Sequence, residues 1–408
     1  MMHRDSRPVC AWALLLVASL AIGCARAPVI RVEPASAVPH ANVTYGSFGE
    51  AADDFAPAAA RSLASSPEEH AYAAALEQFV TGDLANCAKT LASLGQATSP
   101  SLRARARDLH EAVLMQLGAY RELGRVSSDP DAAAVARAFG EAPEQQLNFA
   151  ADDAVVPVTF SNAGSPMVDV TIQGYSAKLW IDCGANFSVL SSDVAERAGV
   201  HPVAGINATA TVGTSGPGKQ INAQLTLVNP FQVGALRGGH IPFVILSEKD
   251  LSLQILFLTF LKVEGILGWN LLRQVHLTVN YPQAFVRIGP SRKTTRDRNL
   301  FWYGMPVAVA TTVDGKNFYL GIDTGARRSY LTEHGARKLR GSLDLSNVSS
   351  VSDVSFVLSG SAVYFSKMDI KSMPRASRGT DGVLGNDVLS RGTLDIDSLE
   401  GRVDFAAP

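Results

Sequence analysis

The chain has 408 residues, a net charge of −2 and 18% charged residues. This balance excludes the strongly basic class of protein that binds nucleic acid or an anionic membrane surface through charge. The length allows two or three domains, and the 34 glycines and 20 prolines, spread over many short segments, predict a turn-rich β protein for much of it.

Residues 1–24 have the pattern of an export signal: basic residues precede an apolar run over residues 9–22 that is short for a permanent membrane span. The end of this run resembles the lipobox of bacterial lipoproteins, with Leu20 one place earlier than usual and Cys24 as the acylated residue. We therefore expect an exported protein, lipid-anchored in the bacterial cell envelope and facing the periplasm. Simple secretion and a retained anchor are the alternatives.

Residues 25–65 are rich in Pro, Ala and Ser without periodicity, which is typical of a flexible tether. Residues 66–149 predict a small helical domain, because Ser66 and Glu69 form a capping signal before a run of helical spacing. The helix pairs resemble tetratricopeptide units, although no second copy of a period of about 34 residues is visible. A small helical bundle of another kind is the alternative.

From residue 150 onward, short apolar runs rich in Val, Ile and Thr are separated by Gly, Asn and Pro, which predicts β-strands. Of the cysteines beyond the signal, Cys87 and Cys183 fall in different predicted domains, so the sequence implies no disulfide framework.

This β region contains an internal repeat. Residues 179–190 (LWIDCGANFSVL) align without a gap on residues 320–331 (LGIDTGARRSYL). A second block follows each copy, so that residues 265–272 (GILGWNLL) align on residues 382–389 (GVLGNDVL). Each half therefore consists of an apolar strand, an Asp-x-Gly-Ala turn, a β segment, an apolar-Leu-Gly block and closing strands.

These two motifs resemble the signature of the retroviral-type aspartic proteases over about residues 155–408. The resemblance implies two pepsin- or retropepsin-like β-barrel lobes in one chain, as in bacterial single-chain members of this group. It identifies Asp182 and Asp323 as a catalytic pair. The domains expected are 150–290 for the first lobe and 291–408 for the second.

A pair of carboxylates suits peptide hydrolysis because one activates a water while the other donates a proton. Two like charges a few ångströms apart share one proton, which belongs to the pair. Gly184 and Gly325 let the chain turn sharply and bring backbone N–H groups to the carboxylates.

The resemblance implies that the residue after each aspartate crosses between the lobes and hydrogen-bonds the opposite loop. Thr324 fits this role, whereas the thiol of Cys183 is a weak donor. The remaining loop-support residues expected are Ser188, Ser329, Asn270 and Asp387.

The family also covers its substrate with a glycine-rich hairpin flap. In the first half this expectation falls on a short turn between strand-like segments: Gly213, Thr214, Ser215, Gly216 and Gly218. The second half offers only residues 346–355, without glycine, so we expect one working flap.

The sequence thus predicts an aspartic endopeptidase that acts on polypeptides, as a monomer, with a protein partner possible through the helical domain. Neither a cofactor nor a metal site is predicted, since no ligand cluster accompanies Cys183. The alternatives are a non-catalytic peptide-binding envelope protein, for which Cys183 would mark relaxed selection, and a helical scaffold with a decayed protease tail. A variant of the first hypothesis makes residues 25–145 an inhibitory pro-segment.

Overall fold

The computed structural model of the chain describes residues 28–151, 154–203, 207–212, 219–249, 251, 263–341, 347–372 and 380–407. It is mainly β, with several sheets and with most of its helices toward the N-terminus. None of the helices in these ranges is both long and apolar enough to cross a membrane.

The helices of the described ranges are α1 Phe48–Asp53, α2 Pro57–Leu63, α3 Pro67–Thr81, α4 Leu84–Ser93, α5 Pro100–Leu117, α6 Tyr120–Val126, α7 Pro130–Glu141, α8 Ser192–Arg197, α9 Trp269–Leu272, α10 Glu333–Arg340 and α11 Asn386–Leu389. A short 3₁₀ turn, Leu94–Gln96, follows α4. The predicted start of α3 is confirmed, because the Ser66 hydroxyl accepts a hydrogen bond from Glu69 N at 3.2 Å. Gly82 ends this helix in the left-handed conformation, with φ 84°.

The strands fall into three sheets within the described ranges. The largest combines β2 Gln146–Phe149, β4 Thr159–Phe160, β5 Pro166–Ile172, β6 Tyr175–Ile181, β7 Ser188–Ser191, β8 Asn207–Val212, β9 Lys219–Val228, β10 Phe231–Val233, β11 Leu236–Gly239, β12 Ile241–Leu246 and β13 Gly265–Leu267. The second combines β1 Ile30–Pro34, β16 Leu300–Trp302, β17 Pro306–Thr312, β18 Asn317–Ile322, β19 Tyr330–Leu331, β20 Ser350–Leu358, β21 Ser361–Asp369 and β22 Gly382–Leu384. The third combines β3 Ala154–Pro157, β14 His276–Asn280, β15 Phe285–Gly289, β23 Thr393–Asp397 and β24 Arg402–Ala406.

The repeat in the sequence appears as one strand arrangement in two sheets. In the first sheet β13 runs parallel to β6 and antiparallel to β7. In the second sheet β22 runs parallel to β18 and antiparallel to β19. The aligned blocks of sequence therefore occupy equivalent places, and each Asp-x-Gly turn connects equivalent strands.

The third sheet joins the closing strands of both repeats. β14 pairs antiparallel with β23, with His276 opposite Asp397 and Asn280 opposite Thr393. β15 and β24 then extend the sheet on either side. Buried side chains such as Leu277, Val279 and Ile396 alternate with more exposed ones along the strands of both repeats. This sheet therefore fixes one repeat relative to the other.

The interpretation of residues 25–65 as a flexible tether is wrong over much of its length. β1 adds to the second sheet as an edge strand beside β21, and α1 and α2 follow it. Phe55 anchors this segment, with ring centroids 4.7 Å from Phe301 and 5.2 Å from Tyr319. Burial of these rings explains the order that a Pro- and Ala-rich sequence did not predict.

The N-terminal helices pack directly on the sheets. Residues of α3, α4 and α5 share one buried cluster with Val307, Tyr319 and Tyr330 of the second sheet. Residues of α6 and α7 join the core of the first sheet. The N-terminal helices therefore share two buried clusters with the sheets, one on the second sheet and one on the first.

Candidate active site

The first Asp-x-Gly turn lies between β6 and β7. Asp182 follows the last residue of β6, and its backbone N–H donates to Leu267 O at 3.0 Å. The chain then turns at Gly184, whose N–H donates to Asp182 Oδ1 at 2.9 Å. This short bond fixes the carboxylate relative to its own backbone.

The second turn repeats this geometry between β18 and β19. Asp323 N donates to Leu384 O at 3.0 Å, as Asp182 N does in the first repeat. The Gly325 and Ala326 amides both donate to Asp323 Oδ1, at 2.9 and 2.8 Å. Asp323 Oδ2 is buried without a geometrically acceptable hydrogen-bond partner in the described part of the chain.

Each glycine lies against the aspartate of the other turn. A Cβ built on Gly184 would lie 2.7 Å from Asp323 Cγ, and one built on Gly325 would lie 2.5 Å from Asp182 Cγ. Only a residue without a side chain fits at either position. The two turns therefore bring Asp182 and Asp323 face to face.

Burial raises the pKa of both carboxyl groups. Burial is the largest cause for Asp182, whose pKa is raised although backbone N–H groups partly offset the effect. Burial and then the charge of Asp182 raise the pKa of Asp323, which is 1% exposed. One carboxyl therefore retains a proton at a pH where an isolated aspartate is ionised.

Thr324 connects the two turns as expected. Its hydroxyl donates to Ile181 O at 2.7 Å and accepts from Cys183 N at 3.0 Å. Cys183 is fully buried, and burial raises the pKa of its thiol to about 12, so it is neutral. The connection between the turns is thus asymmetric, with a hydroxyl on one side and a thiol on the other.

The four predicted support residues come together in two matching pairs. Asn270 Oδ1 accepts from Ser188 N at 2.7 Å and from Ser188 Oγ at 2.9 Å. Asp387 Oδ1 accepts from Ser329 N at 2.9 Å and from Ser329 Oγ at 2.6 Å. Asp387 is therefore the positional equivalent of Asn270.

The flap residues Gly213, Thr214, Ser215, Gly216 and Gly218 lie outside the described residues, as does Cys24. β8 and β9, which flank the flap residues, pair antiparallel from Val212–Lys219 to Asn207–Gln224. In the second repeat, β20 and β21 form a longer hairpin than the one expected over residues 346–355. Its turn contains Gly360, and the Ser359 hydroxyl donates to Val403 O at 2.7 Å.

The sequence predicts no role for three buried residues, Gln116, Tyr281 and Asn386. Tyr281 Oη donates to Asn386 Oδ1 at 2.8 Å, and Asn386 Nδ2 donates to Thr324 O at 2.8 Å. Gln116 of α5 accepts from the Trp269 indole at 3.0 Å. These contacts join residues more than 60 positions apart, and a local sequence pattern carries no signal for them.

The helical layer also touches the first turn. Phe187 lies at the end of the first turn. Its ring centroid is 5.2 Å from that of Phe139 in α7 and 5.9 Å from that of Tyr120 in α6. Within the described ranges no group of three or more His, Cys, Asp or Glu side chains is arranged to hold a metal ion.

Comparisons with known proteins give one family match and one match to a solved structure. Residues 168–271 match the family model described as aspartyl protease. A solved structure, a retropepsin-like aspartic protease from Rickettsia conorii, matches with 14% identity and a TM-score of 0.24, over 36% of this chain and 94% of the other. No curated protein matches the sequence significantly. The family match covers the Asp182 turn and most of the following Gly265–Leu272 block, and it confirms the predicted resemblance to the aspartic proteases over residues 168–271.

Proposed function

We propose that the chain is an endopeptidase that hydrolyses peptide bonds with a water activated between Asp182 and Asp323. The observation that carries the proposal is the reciprocal approach of Gly184 to Asp323 and of Gly325 to Asp182. This approach leaves the two carboxyls facing each other in a partly buried site with one shared proton.

The chemistry needs both states of the pair. The ionised carboxyl takes a proton from the water, and the protonated carboxyl hydrogen-bonds the carbonyl oxygen of the substrate and then supplies a proton toward the leaving amine. The backbone N–H groups of Gly184, Gly325 and Ala326 hold the carboxyls in place. The protein therefore needs to position two side chains rather than form a covalent intermediate.

We further propose that residues 150–290 and 291–408 act as the two lobes of one catalytic unit. The equivalent strand pairings around β13 and β22 support this division. The antiparallel pairing of β8 and β9 supports a flap in the first lobe between these two strands. An extended polypeptide would lie between this flap and the aspartates, and the chain would act as a monomer.

For residues 66–149 we propose a packing role together with contact to a protein partner. For residues 1–24 we propose export and acylation of Cys24, which would anchor the protein in the envelope. Radiolabelled fatty acid should enter the wild-type protein but not a Cys24→Ala variant. Equal labelling of the two proteins would contradict the anchor.

The proteolytic activity is tested with purified protein lacking the signal, incubated with an unfolded protein substrate from acidic to neutral pH. Asp182→Asn and Asp323→Asn should each lose activity by at least about 1,000-fold, since each removes one member of the pair. Asp169→Asn is the matched control, because Asp169 is exposed on β5 and pairs with Lys178 at 2.9 Å. Full activity in both single variants would overturn the proposal, and peptide binding without cleavage by the wild type would favour a non-catalytic binding protein.

A further inference from the structure

A chain of hydrogen bonds reaches the Asp323 turn from the third sheet. Tyr281 follows β14 and donates its hydroxyl to Asn386 Oδ1 at 2.8 Å. The amide nitrogen of Asn386 donates to Thr324 O at 2.8 Å and to Ala163 O at 3.3 Å. Thr324 is the residue next to Asp323, so this chain ends on the backbone that carries the carboxyl.

The two repeats differ at this place. Asn386 occupies the position that Trp269 occupies in the first repeat, because Asn386 N donates to Ala326 O and Trp269 N donates to Ala185 O. The Trp269 indole turns away to Gln116 of α5. The side-chain contact with the turn is thus a feature of the second repeat.

The contact of Asn386 with Thr324 O supports a turn that lacks a hydroxyl contact, because Thr324 and Cys183 differ in their hydrogen bonding. The Thr324 hydroxyl holds the first turn through Ile181 O and Cys183 N. The symmetric position beside the second turn is occupied by the Cys183 thiol, a weak donor and a weak acceptor. The second turn therefore needs support from another group.

We propose that Tyr281 and Asn386 are positioning residues that hold the Asp323 turn through the Thr324 carbonyl, in the place of a hydroxyl at position 183. They act on the reaction through the backbone of the turn. This inference rests on the proposed proteolytic function and extends it to how the second carboxyl is kept in register.

The surroundings of Tyr281 suit this role. Its side chain is buried, and the ring of Phe160 stacks on it with centroids 5.3 Å apart. Burial and the neighbouring Cys183 and Asp323 raise the pKa of the phenol, which keeps its proton and remains a donor. Because the Tyr281 hydroxyl is buried and stays protonated, its hydrogen bond can hold the Asp323 turn at a fixed distance from the third sheet.

Asn386 is equally constrained. A Cβ on Gly164 would lie 2.9 Å from Asn386 Cβ, so the loop before β5 packs closely on the amide. Ser165 Oγ of the same loop donates to Gly325 O at 3.5 Å. The amide therefore ties this loop and the Asp323 turn to the third sheet together.

The experiment uses Tyr281→Phe, Tyr281→Phe with Cys183→Thr, and Asn386→Ala, with cleavage of an unfolded protein or a quenched peptide as the assay. Tyr364→Phe is the matched control, because Tyr364 donates to Asp353 Oδ1 on the surface hairpin of β20 and β21. Circular dichroism gives the folded fraction of each preparation, and kcat is expressed per folded molecule. The pH profile of kcat is measured for every variant.

We expect Tyr281→Phe to lower kcat by about tenfold with little change in KM, because loss of one positioning hydrogen bond displaces a reacting group. If the Asp182 and Asp323 carboxyls lie farther apart, the charge of Asp182 raises the pKa of Asp323 less. The pKa of Asp323 should therefore fall, and the alkaline limb of the pH profile of kcat should move to lower pH. Asn386→Ala should move the limb the same way, and Cys183→Thr should restore kcat to the Tyr281→Phe protein.

The inference is overturned if the wild type cleaves while Tyr281→Phe and Asn386→Ala keep its kcat and its alkaline limb. It is also overturned if kcat falls without any movement of the limb, or if Cys183→Thr restores nothing, since both results indicate a merely structural contact. A wild type and a Tyr364→Phe control that cleave nothing would instead remove the proposed function on which the inference rests.

Discussion

Gly325 lies against Asp182 so closely that a Cβ added to the glycine would stand 2.5 Å from the carboxyl carbon of the aspartate. The mirror contact joins Gly184 to Asp323. The glycines therefore do more than permit a turn, because their missing side chains make the space in which the carboxyls meet.

Replacing this glycine tests the contact. Gly325→Ala should displace the Asp182 carboxyl and lower kcat by about 100-fold or more, because the reacting groups lose their alignment. The measurement is the cleavage rate per folded molecule. Gly95→Ala is the matched control, since a Cβ on Gly95 meets no atom within 4 Å. Wild-type cleavage by Gly325→Ala would show that the carboxyls do not need this approach.

Asp387 is a buried acid in the position where the other repeat has Asn270, and burial raises its pKa. A raised pKa in the folded state stabilises the protein below the unfolded pKa, and this contribution is lost as the pH rises through the folded value. Asp387→Asn keeps the acceptor for Ser329 and removes the charge. Its melting temperature should therefore exceed that of the wild type at pH 7, and the difference should shrink toward pH 4.

Asn270→Asp is the converse variant, since it adds a charge at the equivalent place. It should melt below the wild type at pH 7. The explanation is wrong if Asp387→Asn melts lower than the wild type at pH 7 and the difference is the same at pH 4.

Phe55 fixes the N-terminal segment to the second sheet, with Phe79, Phe301, Tyr303 and Tyr319 around it. Phe55→Ala should lower the free energy of unfolding by about 3–5 kcal/mol, the usual cost of removing a buried phenyl ring. Urea titration gives this value, and Val313→Ala serves as control because Val313 is 71% exposed.

The same packing bears on the pro-segment hypothesis. Deleting residues 25–145 would expose the cluster that these helices share with Val307, Tyr319 and Tyr330. We expect the shortened chain to be insoluble or unfolded. A soluble shortened chain with raised activity would instead favour an inhibitory pro-segment.

His334 of α10 lies 3.6 Å from Asp54 Oδ1 and 3.5 Å from Asp381 Oδ1, beside Lys338, which bonds both acids. The contact with the Asp54 carboxylate is the largest cause of a raised pKa of His334. A raised histidine pKa adds stability below about 6.5, and this stability is lost as the pH rises through the folded value. The urea midpoint should therefore fall between pH 6 and pH 8.

His334→Gln should reduce this fall. His276, whose pKa Asp395 raises, contributes with the same sign in both proteins, so the difference between them isolates His334. Identical pH dependence in the two proteins would show that this cluster does not bind a proton on folding.

The repeat was readable from the sequence because the same side chains recur at the same spacing around both aspartates. The alignment predicts loop-support roles for Ser188, Ser329, Asn270 and Asp387, and the structure joins these residues through matching hydrogen bonds. Local pattern was sufficient because each contact stays within one repeat and follows from its strand order.

Other features depend on contacts that no local pattern records. Gln116 meets Trp269, and Tyr281 meets Asn386, across more than 100 positions of the chain. The segment around Phe55 has helices of six and seven residues, which are too short to show a clear helical period. Its order comes from aromatic packing on a distant sheet.

We claim that Asp182 and Asp323 share one proton, and the pH dependence of kcat/KM, measured on the chain without residues 1–24, reports on that proton. The profile should be bell-shaped, with an alkaline limb displaced above the ordinary range of a carboxyl group, because burial and the charge of Asp182 raise the pKa of Asp323. Activity that rises with pH to a plateau and shows no alkaline limb would contradict the claim.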